Sequence, residues 1–393
     1  MHYNFDQHIN RTGTDSLKYD VLYRLLGRND VKPLWVADMD FATPPFVIRA
    51  IEQRLHQQIL GYTYPSEGFY RSVISWMQRR HGVSLRDEEI QFLPGIVPAI
   101  HHALNAFTEK GDKVLIQPPV YHPFGHIIDI NDRTRVESPL RLEDGRFEMD
   151  FADLERKLPG CKVMILCNPH NPGGTVWAPD VLRRLAKLCK EHHVMVLSDE
   201  IHSDMTHSGH RHTPFVNTCE EARDITITLN APSKAFNMPG VVVSYCYCFN
   251  SIMRRKFYTF LRQADVAMGT VFAYSCLEAC YTEEGEDWLN QMLSYVQGNI
   301  NLVSDFLSRY CPKIKPMQTE ASFLVFLDNS RMPFATPEEQ QAFYLDRAGL
   351  YLNEGRIFGS VGEHFMRLNT ALPRAELEAA LQKLRTAYAE IVI

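Results

Sequence analysis

Apolar positions along the chain follow two periods. Between Lys113 and Phe249, short and nearly continuous apolar runs alternate with stretches of helical spacing. The runs predict strands at Lys113–Gln117, Thr134–Ser138, Val163–Cys167, Met195–Ser198, Ile225–Leu229 and Val241–Cys248, and Pro179–His192 between them predicts a helix. Strands apolar on both faces and separated by helices indicate a largely parallel sheet covered on both sides. Upstream, Leu34–Ala37 reads as a short strand. Pro44 and Pro45 then open a helix carrying Val47, Ile48, Ile51 and Leu55 at helical spacing. A second amphipathic helix over Phe69–Arg80 is closed by Gly82. An extended Ile90–Pro94 follows, and Gly95-Ile96-Val97-Pro98 opens a helix reaching Phe107. After Ser251 the pattern turns helical, with a long helix expected over Asp287–Arg309. Beyond it come an extended Ser322–Leu327, a helix over Glu338–Ala348, an extended His364–Asn369 and a last helix from Arg374. The reading is an α/β fold. It has an N-terminal segment 1–45, irregular through Gly27 and wrapping another part of the molecule, a large domain 46–286 and a smaller α/β C-terminal domain 287–393.

Composition narrows the class. The 393 residues are 45% hydrophobic and 22% charged, as in ordinary soluble proteins, and the length favours more than one core. A net charge of -6 argues against an electrostatic nucleic-acid binder. No apolar run has the ~20 residues that a bilayer span needs, and Met1–Asp6 lacks the basic and apolar regions of a signal peptide. The nine cysteines show neither disulfide-framework nor zinc spacing, which suits core thiols in a reducing compartment and predicts no metal site. A cytoplasmic protein is expected.

Candidate chemistry lies just beyond the strand ends. Asn171 follows Val163–Cys167 in a Pro- and Gly-rich turn, Asp199 follows Met195–Ser198, and Lys234 follows Ile225–Leu229. A lone lysine is usually a solvated surface residue. In open α/β sheets, however, ligands bind outside the carboxyl ends of the strands. The shared placement of amide, carboxylate and lysine therefore outweighs the bland reading of each. The helix start at Gly95 adds free amides and a dipole that favour an anion such as phosphate. Pyridoxal phosphate would use such a set. A lysine amine forms its imine, a carboxylate keeps its ring nitrogen protonated, and a neutral donor and amides serve its phenolic oxygen and phosphate.

Three motifs carry a resemblance: Asn-Pro-x-Asn-Pro-x-Gly at 168–174, Ser-Asp-Glu-Ile-His at 198–202, and Ala-Pro-Ser-Lys-x-Phe-Asn at 231–237. Through them the chain resembles, over nearly its whole length, the fold-type I pyridoxal-phosphate enzymes. That likeness implies an aspartate-aminotransferase-like fold with a mostly parallel seven-stranded sheet. With Trp35-Val36-Ala37-Asp38-Met39-Asp40-Phe41 added, it is more similar to the MalY/PatB branch, the cystathionine β-lyase or C–S lyase group, than to ordinary class I aminotransferases.

The resemblance implies roles. Lys234 would bond the cofactor and later move protons. Asp199 would pair with the ring nitrogen, Asn171 would bond the phenolic oxygen, and Tyr121 would stack on the ring. The amides of Ile96 and Val97, with Ser233, would hold the phosphate. Tyr62 would reach the phosphate across the interface of a homodimer with shared active sites. Arg367 would clamp the α-carboxylate of an amino-acid substrate, since its planar fork suits bidentate binding. Trp35, Asp38 and Met39 would lie near the group on sulfur. Aminotransferases usually carry a tyrosine three positions after the aspartate and an arginine eight positions after the lysine, where this chain has His202 and Val242. Both departures look like the lyase branch. His202 either adjusts the electronics at the phenolic oxygen or is a satisfied core histidine. The implied reaction is α,β-elimination from an S-substituted L-cysteine, with cystathionine foremost, to a thiol, pyruvate and ammonia. Its rivals are a class I/II aminotransferase and a regulatory, partner-binding protein on the same scaffold.

Overall fold

The structure, a computed structural model, describes residues 1–391. Its main sheet has seven strands in the order Ile90–Leu93, Ser244–Tyr247, Thr226–Asn230, Met195–Asp199, Cys161–Cys167, Lys113–Ile116 and Thr134–Glu137. The last five run parallel, as the apolar runs predict. Ser244–Tyr247 lies antiparallel between Ile90–Leu93 and Thr226–Asn230, so the sheet is mixed. One face packs on the helices Ile96–Phe107, Pro123–Ile130 and Ser251–Gln263. The other is covered by Phe151–Lys157 and Pro179–Glu191, the latter burying Leu182, Leu185, Ala186 and Cys189 on one stripe.

A four-stranded antiparallel sheet follows later in the chain, in the order Lys315–Pro316, Leu324–Asp328, Phe365–Asn369 and Asn353–Glu354. Its apolar residues share a core with the long helix Glu283–Tyr310 and the last helix Arg374–Ile391. The N-terminal segment joins that core. The Phe5 ring stands 5.2 Å from Phe41 and 5.7 Å from Trp288, and the Tyr3 amide donates to Gln291. Each fully buried side chain of this size contributes ~1.5–3 kcal/mol.

Four expectations need correction. The segment expected to be irregular through Gly27 is helical over Leu17–Val21 and Leu22–Leu26, since Leu17–Leu26 carries no proline or glycine to interrupt it. Leu34–Ala37 is not a strand, because only Leu34 bonds neighbouring backbone, while the carbonyls of Trp35, Val36 and Ala37 accept from side chains. The pairing strand is the preceding Lys32–Pro33, parallel to Leu350–Tyr351. The strand expected at Val241–Cys248 starts only at Ser244, because Pro239–Val241 forms a 3-10 turn and Val242 is left-handed at φ 57°. The long helix begins before Asp287, at Glu283, where the Thr282 hydroxyl caps the Gly285 amide at 3.1 Å. The nine cysteines are unbridged. Among the described residues, no helix is long and apolar enough to cross a membrane and no group of His, Cys, Asp and Glu could hold a metal.

Candidate active site

Sheet register sets the site. Cys167, Asp199 and Leu229 stand level on three adjacent parallel strands. Ser244–Tyr247 pairs antiparallel with both of its neighbours, so Leu93 and Asn230 also end at that edge. The turn carrying Asn171, the end of the strand at Asp199, the loop carrying Lys234 and the helix start at Gly95 therefore all leave the same edge of the sheet. Asn171, Asp199 and Ser233 are buried, and Lys234 is partly buried.

Two cations meet here. The ammonium of Lys234 donates to the Ala37 carbonyl at 2.7 Å. Burial drives its pKa down to about 8, opposed by Asp38 and assisted by Arg367. Arg367 is buried in the strand Phe365–Asn369. It donates to Asn171 Oδ1 at 3.2 Å, the Trp35 carbonyl at 3.2 Å and Asn353 Oδ1 at 2.6 Å. Its guanidinium lies 4.9 Å from the centre of the Phe358 ring. Burial lowers its pKa to about 10, and its Nε has no hydrogen-bond partner among the described residues. No carboxylate pairs with it among the described residues.

The carboxylate of Asp199 is likewise without an ion-pair partner among the described residues. It accepts from the Ile201 amide at 3.1 Å, yet burial raises its pKa to about 7. His202 is buried, with its pKa pushed down to about 3 by burial and by Lys234 and Arg367, and its Nδ1 has no partner. It is therefore a neutral ring with one nitrogen unpartnered among the described residues. Tyr121 is partly buried. Its pKa is raised by burial and by Asp199, and Arg367 opposes the rise. Ile96 and Val97 form the first turn of the helix Ile96–Phe107, whose N-terminus has no side-chain cap. Gly95 enters that turn at φ 143°, and a Cβ there would stand 3.2 Å from Pro98 Cδ.

Other expected residues fall elsewhere. Tyr62 is fully exposed. Met39 is buried in the hydrophobic core, with its amide bonded to Asn237 Oδ1 at 2.9 Å. The Asp38 carboxylate is held by Arg11 at 2.6 and 3.2 Å, and its field reaches Lys234 without contact. Trp35 offers its carbonyl to Arg367, while its ring packs edge-on to Tyr351 at 5.4 Å.

Sequence reasoning missed Asn353, Phe358, Arg11 and Asn369. Asn369 Nδ2 donates to the carbonyls of Val36 at 2.6 Å and Asp38 at 2.7 Å, which fixes the loop under Lys234. Its position two residues after Arg367 on a predicted strand, hence on the same face, was the available signal.

With this geometry in hand, comparison with known proteins is specific. Residues 29–384 match the family model for aminotransferase class I and II. The chain is 42% identical to cystathionine β-lyase PatB of Bacillus subtilis (strain 168), over 98% of this chain and 99% of that protein. It is 30% identical to the protein MalY of Escherichia coli (strain K12), over 97% and 98%. The crystal structure of the PLP-bound C–S lyase from Staphylococcus hominis superposes with a TM-score of 0.92 at 33% identity, over 100% of this chain and 99% of that one. The uncapped helix start, the partly buried lysine, the buried aspartate and the arginine without a carboxylate thus stand on a known framework, and the chain belongs to the aminotransferase class I and II family, in its MalY/PatB cystathionine β-lyase branch.

Proposed function

We propose that this protein is a pyridoxal-phosphate-dependent carbon–sulfur β-lyase that cleaves L-cystathionine or a related S-substituted L-cysteine to a thiol, pyruvate and ammonia. The observation that carries the reading is the convergence of Lys234, Asp199 and Arg367 on one sheet edge, each buried or partly buried and none with an ion-pair partner among the described residues. Unpaired buried charge is costly unless a ligand completes it. A cofactor with a cationic ring nitrogen, a phenolic oxygen and a phosphate, together with a substrate carboxylate, supplies the missing partners. The orphaned Nε of Arg367 and Nδ1 of His202 and the uncapped amides of Ile96 and Val97 fit that set.

Bound there, pyridoxal phosphate supplies an electron sink for the carbanion at Cα. The protein's own groups do the rest. Arg367 takes the α-carboxylate in its fork and orients the substrate. Lys234, with a pKa near 8, is neutral in an appreciable fraction at physiological pH, and its Nζ removes the α-proton. Asp199 becomes a stable anion once a cation adjoins it, because the attraction offsets the burial that raises its pKa. Tyr121 would provide an aromatic face for the ring, and Asn171 and His202 would serve its phenolic oxygen. Loss of the thiolate from Cβ and hydrolysis of the remaining enamine complete the balance.

We further infer a homodimer. Ile48, Leu55, Ile59, Leu60, Tyr62 and Tyr64 are exposed apolar side chains on one stretch of chain, more than a monomer normally shows together. An exposed Tyr62 there can serve the partner's phosphate. The unbridged thiols suit a cytoplasmic setting.

The test is product analysis of cofactor-loaded protein. L-Cystathionine should yield pyruvate and homocysteine, and an amino acid with 2-oxoglutarate should yield no glutamate. Glutamate without pyruvate would make it an aminotransferase.

A further inference from the structure

We propose that the cavity between the 118–122 segment and the 356–360 turn is a second amino-acid subsite, which takes the zwitterionic end of the group carried on the substrate sulfur. The proposal rests on the lyase reading and specifies its substrate class.

The cavity has a volume of about 350 Å³, within the ~300–1,000 Å³ range of small-molecule sites. It shares two walls with the cleft. One is Tyr121, whose hydroxyl feels the charges of Asp199 and Arg367. The other is Phe358, whose ring lies 4.9 Å from the Arg367 guanidinium. The two walls are tied together, since the Val120 amide donates to the Phe358 carbonyl at 2.9 Å. Their close approach needs a glycine at 359, where φ is 124° and a Cβ would stand 2.6 Å from Pro118 Cβ. Tyr121 and Phe358 thus border both this cavity and the surroundings of Arg367.

The lining has the polarity of an amino-acid headgroup. Arg135 and Arg356 face it with one carboxylate, Glu137, alongside Ser360 and His122. Arg135 is committed to its neighbours only loosely, at 3.7 Å to Asp129 and 3.5 Å to Glu137, which leaves donors for a carboxylate. Arg356 is tied to Glu338 and Glu354, so Arg135 is the freer cation. Glu137 and the neutral His122 can accept from an ammonium. The complement is a thioether or disulfide that ends in a second amino acid, rather than an S-alkyl or S-aryl cysteine.

The experiment compares the holoenzyme with Arg135→Met and Glu137→Gln variants on L-cystathionine and on S-ethyl-L-cysteine, which lacks the second headgroup. Losing a charge-assisted contact should lower kcat/KM for cystathionine about 10- to 100-fold, through KM, and leave S-ethyl-cysteine within about twofold. Arg135→Lys should recover part of the loss. Both side chains lie on a half-exposed edge strand, and an unchanged melting temperature would confirm that the variants fold. Equal losses on both substrates, or no loss on cystathionine, would overturn the subsite. A wild-type enzyme that releases no pyruvate from either substrate would instead overturn the lyase reading itself.

Discussion

The ammonium of Lys234 and the guanidinium of Arg367 are held by one loop, since Lys234 bonds the Ala37 carbonyl at 2.7 Å and Arg367 the Trp35 carbonyl at 3.2 Å. That loop is itself clamped from the N-terminal segment. Arg11 grips the Asp38 carboxylate at 2.6 and 3.2 Å and reaches Asp40 at 2.8 Å, while the buried Lys18 bonds Asp40 at 3.0 Å. After burial, Asp38 is the largest influence on the pKa of Lys234, and it acts upward.

Arg11→Gln should therefore raise the pKa of Lys234, because Asp38 loses the cation that offsets its field. The acidic limb of the kcat/KM profile, which reports deprotonation of the base, should move to higher pH. A limb that stays in place would mean that Arg11 only braces the loop. Arg11→Lys should restore part of the wild-type profile.

Arg367 is buried, with no carboxylate partner among the described residues and with Nε unbonded. Arg367→Lys keeps the charge but loses the fork and the contacts to Asn171 and Asn353. The KM for the amino-acid substrate should rise about 10- to 100-fold, with a smaller change in kcat. A decarboxylated substrate analogue should bind wild type and variant alike. Discrimination against that analogue surviving in the variant would move the carboxylate site elsewhere.

Much of this was legible in the sequence. The five parallel strands, the helix start at Gly95 and the placement of Asn171, Asp199 and Lys234 follow from continuous apolar runs that end in polar turns. What stayed hidden depends on partners distant in sequence. Leu34–Ala37 has the apolar character of a strand but directs its carbonyls to Lys234, Arg367 and Asn369. Asp38 and Met39 read alike as loop residues beside a substrate. How each is held is decided by Arg11 and Asn237, far apart in the chain. The antiparallel Ser244–Tyr247 is as apolar as its parallel neighbours, so period and composition give no sign of its direction.

Asp204 anchors a buried polar cluster. Its carboxylate accepts from Trp76 Nε1 at 3.1 Å and is bonded by His81 Nε2 at 2.8 Å, and the Trp76 ring stacks on Tyr281 at 4.6 Å. Burial alone would raise the pKa of Asp204, but His81, Arg80 and Trp76 outweigh it and hold it below the usual carboxylate value. Asp204→Ala leaves those donors unpaired in the core and should cost about 3–5 kcal/mol of stability. Urea denaturation reads that loss, and kcat per folded active site should be nearly unchanged.

Asp199 should make the cofactor-free protein less stable as pH rises. Burial raises its pKa from 3.8 to about 7, so between those values the native state keeps a proton that the unfolded chain has released. The native state then binds more protons, and stability falls with rising pH until it levels above 7, by at most about 4 kcal/mol. Lys234 acts in a separate window. Its pKa falls from 10.5 to about 8, so the native state sheds its proton first, and stability should recover between pH 8 and 10.5. Asp199→Asn should abolish the first slope and stabilise the cofactor-free protein at pH 7–8, while removing activity. Loading wild type with pyridoxal phosphate should flatten that same slope, because a cation beside Asp199 keeps it ionised throughout the window. Thermal melting against pH separates these cases. A slope between pH 4 and 7 that survives both the Asn variant and the cofactor would show that some other buried group carries it, and that Asp199 does not face the ring nitrogen.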